Sequence, residues 1–148
     1  MNTHPYLRAF LAGVFVPTLV LPLILAGFIL VRLVLQVPVP IERALVFPMA
    51  LVPSLWGLWN MLWLGSHART HLAVQYYGML LPLLLMPAGA IAASSLGVLA
   101  IGATGVTWFH ACNASYALIL PAFLGVLAAY YLLWKYVVGF TNRVLGIA

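Results

Sequence analysis

The residues of this chain that could do chemistry are few, and most of them gather between Pro53 and Leu72, in PSLWGLWNMLWLGSHARTHL. At about 100° per residue, Trp56, Trp59, Asn60, Trp63 and His67 fall on one helical face, and His71 lies near it if the helix continues. The indoles offer large flat apolar surfaces, the amide offers donors and an acceptor, and the imidazole offers a ligand nitrogen. Such a face suits a groove for a flat hydrophobic ligand or a contact surface for another protein. Trp56, Trp59, Asn60, Trp63 and His67 are therefore the candidate ligand- or partner-binding residues. A quinone, carotenoid, tetrapyrrole or lipid would fit that description, although no cofactor is required by the sequence. The plainer use of the same residues is packing, with Asn60 as a hydrogen-bonded bridge between helices.

Metal chemistry has weak support. His67 and His71 are four residues apart, a spacing that can bring two imidazoles to one ion. No third ligand accompanies them in sequence, Arg69 between them repels cations, and His4 is the one further histidine expected on the same side. An axial ligand for haem or chlorophyll needs one imidazole facing an apolar cavity, and His67, continuing the tryptophan face, is the better placed of the pair. His110 is expected on the opposite side of the membrane, so it does not pair with His67.

Enzymatic clusters are missing. The chain has a single acid, Glu42, which falls in a connector, so there is neither a carboxylate pair nor an intramembrane carboxylate for proton coupling. Cys112 is the only cysteine, which excludes an intrachain disulfide and a thiolate metal cluster. Ser94 and Ser95 have no base near them and read as small packing residues. Asn113-Ala-Ser115 matches a glycosylation acceptor but lies too close to the expected fourth span to act as one. No catalytic residue is assigned, and the chain reads as a non-enzyme.

Composition says what must position these residues. The 148 residues are 66% hydrophobic and 5% charged, with mean hydropathy +1.18. Soluble domains are roughly 25% charged, so the solvent that suits this chain is a bilayer. The net charge of +5 comes from six scattered basic residues and suits anionic lipid head groups, not nucleic acid. The apolar run after Arg8 is too long for a signal peptide and reads as a retained first span.

The expected fold is all-α: one domain, residues 1–148, of four transmembrane helices running up-down-up-down, with spans at about 6–35, 44–65, 73–101 and 116–138. A proline-containing connector, Gln36 to Arg43, follows the first. Ser66 to His71 makes a polar turn, and Gly102 to Ser115 is less regular. Arg8, Arg69, Lys135 and Arg143 fall on one side and Arg32 and Arg43 on the other, which puts both termini in the cytoplasm, in a bacterial inner membrane. Prolines five apart (Pro17/Pro22, Pro48/Pro53, Pro82/Pro87), together with Pro121, should bend the helices. Small residues spaced by four, Gly89/Ala93/Gly97 and Ala117/Pro121/Gly125/Ala129, should pack the third helix on the fourth.

The function expected from these features is that of an accessory or structural subunit. It would pack against other integral membrane subunits of a larger, energy-converting complex, with membrane lipids or pigment in contact. The alternative is a small homo-oligomeric transporter or channel, with the Asn60/His67 stripe lining its path.

Overall fold

In the computed structural model, residues 4–36, 47–108 and 112–147 are described. The connector from 37 to 46, with Glu42 and Arg43, lies outside them, as do Phe109 and His110. Helix α1 spans Pro5–Val34, α2 Phe47–Thr70 and α3 Val74–Ser95. Three short strands follow: β1 (Leu99–Ile101), β2 (Gly105–Trp108) and β3 (Cys112–Ser115). The chain ends in one rod: α4 (Tyr116–Leu132), a π-helical turn (Leu133–Val138) and α5 (Gly139–Val144).

Among the described residues, three stretches are long and apolar enough to cross a membrane: Pro5–Val34, Val74–Ser95 and Tyr116–Val144. The 24-residue α2 is not among them. Its indoles, Asn60 and the polar end from Ser66 dilute its apolar content. It is nonetheless the centre of the packing. Gly13 of α1 lies so close to α2 that an added methyl would sit 2.5 Å from the Trp56 carbonyl oxygen and 2.9 Å from Gly57 Cα. A methyl on Gly57 would meet the Phe10 ring at 2.5 Å. Backbones approach there because no side chain intervenes, the condition that favours helix association in lipid. Ala9 meets Asn60 and Tyr6 faces Gly65, so α1 and α2 run antiparallel. Trp59 pairs with Tyr77, and Trp63 with Leu72, so α2 and α3 are antiparallel too. The rod returns beside α2, with Trp134 against Trp56 and Asn142 against Asn60.

The core is small: Val16, Trp56, Leu81, Trp134 and Val138 are its buried centre. Gly78 admits the Trp134 ring, which occupies the space a side chain would take.

The small rows expected to join α3 and α4 do not make that joint. These helices are neighbours, as Tyr76 and Tyr131 show with ring centroids 6.0 Å apart. A methyl added at Gly89, Gly97 or Gly125, however, would meet nothing within 4 Å. Ala117, Pro121, Gly125 and Ala129 are all exposed. The close helix crossing is between α1 and α2 instead.

Three boundaries shift from the sequence expectation. Helix α3 stops at Ser95, not near Ile101, because Gly97 takes a left-handed φ of 68°. Val98 N–H then bonds Ala93 O at 2.9 Å and Gly97 N–H bonds Ser94 O at 3.0 Å, a glycine-terminated helix end. The apolar residues beyond it form an antiparallel meander, with Leu99 opposite Trp108 and Val106 opposite Ala114. Helix α2 continues through the expected polar turn to Thr70. The last rod reaches Val144, and Gly146 ends it in the same left-handed way. The interior prolines Pro17, Pro22, Pro53, Pro82, Pro87 and Pro121 are all carried inside helices.

Candidate functional site

The face singled out in α2 is turned into the bundle. Trp56 is 3% exposed and Asn60 is fully buried. The Trp56 ring lies 5.5 Å from Trp134 and 5.1 Å from Tyr130, centroid to centroid and tilted, as aromatic pairs prefer. The indole N–H groups of Trp56 and Trp134 have no hydrogen-bond partner among the described residues, so these rings hold by packing. Trp59 is half-buried and donates its indole N–H to the Tyr77 carbonyl at 2.8 Å. Trp63 donates to the Leu72 carbonyl at 3.1 Å.

His67 is exposed, and its ring stacks beside Trp63 at 5.0 Å. Its Nδ1 lies 3.0 Å from the same Leu72 carbonyl, which can only accept, so Nδ1 carries the proton and Nε2 is left for an outside partner. Trp63 and His67 together clamp the α2–α3 turn. His71, at the end of α2, is exposed with a left-handed φ of 52°. Among the described residues no three His, Cys, Asp or Glu side chains come together as a metal site.

Asn60 is the buried polar centre. Its amide donates to the Ala9 carbonyl at 2.7 Å and to Asn142 Oδ1 at 2.8 Å, and Asn142 donates back to Asn60 Oδ1 at 3.2 Å. Both amides are fully buried. Sequence reasoning missed Asn142, because Thr141-Asn142-Arg143 reads as a polar tail after an apolar span. The available signal was spacing: Trp134, Val138 and Asn142 stand four apart, matching the Trp56–Asn60 step of α2.

A second polar link lies at the same end. Arg8 Nη1 donates to the Leu145 carbonyl at 2.6 Å. This puts a cation where the carbonyls at the end of α5 carry partial negative charge, and it holds the start of α1 beside the end of the rod. The hydroxyls of Ser66 and Tyr77 share a further hydrogen bond between α2 and α3.

Two cavities open at this end. One, about 510 Å³, is apolar and bounded by Tyr6, Leu58, Met61, Leu62, Gly65 and Ser66. The other, about 300 Å³, has a mostly apolar wall, Trp63 and Val74 included, that also carries His67, Gln75, Lys135 and Arg143. Among the described residues, the Ser66 hydroxyl on the first wall is bonded to the Leu62 carbonyl and the Tyr77 hydroxyl, with no base beside it.

Comparison with protein-family models, curated proteins and solved structures gave no match. The reading of function therefore rests on this chain's own geometry.

Proposed function

We propose that the chain is a non-enzymatic integral membrane subunit that packs against a transmembrane helix of another protein in a larger assembly. The observation that carries this reading is the outer face of α4. None of its residues from Tyr116 to Leu132 is buried, and Ala117, Pro121, Gly125 and Ala129 present a row of small residues outward. Within the bilayer a helix gains nothing by hiding apolar side chains from lipid, so association depends on close packing. A smooth row at four-residue spacing offers that approach to a second helix. The groups that would line a conduction path are engaged inside instead: Asn60 with Asn142, and Trp59 and Trp63 with carbonyls of the same chain.

In this reading all four long helices cross the membrane, α2 turning Trp56, Asn60 and Trp63 into the bundle and Leu51, Leu58 and Leu62 outward. The end holding Arg8, Arg69, Lys135 and Arg143 faces the cytoplasm, following the distribution of basic residues. The meander of β1 to β3 sits at the opposite surface.

The test is extraction from native membranes in a gentle detergent, followed by size analysis and mass spectrometry. The proposal expects a large particle containing other integral membrane proteins. A small species containing only this chain would refute it and favour the homo-oligomeric transporter or channel.

A further inference from the structure

We propose that the cavity between the α2–α3 turn and the last rod, which carries Lys135 and Arg143 on its wall, binds a phosphate group, in the first instance that of an anionic phospholipid. This inference stands independently of the subunit role. The cavity encloses about 300 Å³ and is bounded by Lys135, Arg143, His67, Gln75 and Asn142. Lysine and arginine present donors only, and Gln75 adds an amide donor, so these groups match the acceptor-only oxygens of a phosphate; Asn142, fully buried and paired with Asn60, stands behind them. The single acid of the chain, Glu42, lies in the connector, and no carboxylate side chain stands among the described residues to neutralise Lys135 or Arg143.

Several features fix where the ligand would sit. Lys135 Nζ lies over the rings of Tyr131 (5.7 Å) and Tyr136 (5.1 Å), cation–π contacts that order the side chain. The first residues of α3, Val74 and Gln75, also bound the cavity, and the Ala73 cap offers their N–H groups no side-chain acceptor. That helix end adds positive potential to the cavity wall. The cavity lies beside interfacial aromatics at the basic end of the bundle, the depth of a phospholipid head group. Lys135 and Arg143 are themselves exposed, so each can be changed without emptying the core.

The experiment uses the full chain purified in neutral detergent. Phosphatidylglycerol is titrated in, and the lipid retained on the folded protein is measured by native mass spectrometry. Inorganic phosphate is added as a competitor in a parallel arm. The expected result is one retained lipid. Arg143→Gln and Lys135→Gln should each weaken retention about tenfold, the scale of one charge-assisted contact. Arg69→Gln should leave it unchanged, because Arg69 is an exposed cation at the same end but outside the cavity. Circular dichroism of each variant checks that the helices remain. Displacement of the lipid by millimolar phosphate assigns the cavity to free phosphate within the same chemistry, and persistence assigns it to the lipid. Equal loss for Arg69→Gln and Arg143→Gln would reduce the effect to overall charge and overturn the proposal. So would wild-type protein that retains neither lipid nor phosphate.

Discussion

Asn60 and Asn142, 82 residues apart in sequence, exchange two hydrogen bonds at the buried centre of the bundle. The Ala9 carbonyl accepts a third from Asn60, so one amide pair ties α1, α2 and α5 together. In an apolar interior each amide without its partner keeps its desolvation penalty, so the pair stands or falls as a unit. Its position is specific as well as stabilising, because a one-residue rotation of either helix would part the amides.

Breaking the pair one side at a time should cost more than removing it whole. Asn60→Leu or Asn142→Leu alone is expected to destabilise the fold by about 1–3 kcal/mol, each leaving a buried amide unpaired. The double variant should cost less than the sum of the two. Detergent unfolding followed by circular dichroism measures all four corners of this cycle. Strict additivity would mean that the two amides act separately.

The α1–α2 crossing should tolerate no side chain. Gly13→Leu and Gly57→Leu each force atoms into backbone or ring already in contact, and a loss of at least about 1–3 kcal/mol is expected. Gly125→Leu should leave the stability of the isolated chain unchanged, because Gly125 faces open space. The comparison separates the contact within the chain from the face left outward.

Trp134 should matter through its volume and not through its N–H. Trp134→Phe keeps most of the ring and removes a donor that has no partner, so a small loss is expected. Trp134→Ala should open a cavity beside Trp56 and Gly78 and cost about 3–5 kcal/mol. Thermal unfolding of the two variants in detergent measures the difference.

Arg8 should govern the end of the last rod. Arg8→Met retains the apolar stem and removes the donor to Leu145. Amide exchange of Gly146 and Ile147 should speed up while that of α2 is unaffected. Unchanged exchange throughout would show that the guanidinium does not hold the rod's end.

That the α2 residues share one face was legible from spacing alone. The helical face gathering Trp56, Asn60 and Trp63 is real, because 3.6-residue periodicity survives any packing. What that face meets was not legible. A stripe of indoles looks the same whether it lines an open groove or presses on another helix, and Trp134 and Tyr130 lie more than a hundred positions from the start of the chain. Small-residue rows misled for a related reason. Repetition drew attention to Gly89 and Gly125, while the crossing that forms uses Gly13, in the shorter buried row Ala9/Gly13/Pro17, against Gly57. The strands were hidden because Leu99, Ala100 and Ile101 continue an apolar run that Ser94, Ser95 and Gly97 interrupt only briefly.

The outward face of α4 is the most direct point at which to test the subunit reading. A photo-crosslinking residue placed at position 125 and activated in native membranes reports what touches that face. The account predicts a covalent adduct with a different membrane polypeptide, absent when the same probe is placed at the exposed but bulky Leu118. Adducts with lipid alone, or only with a second copy of this chain, would contradict it.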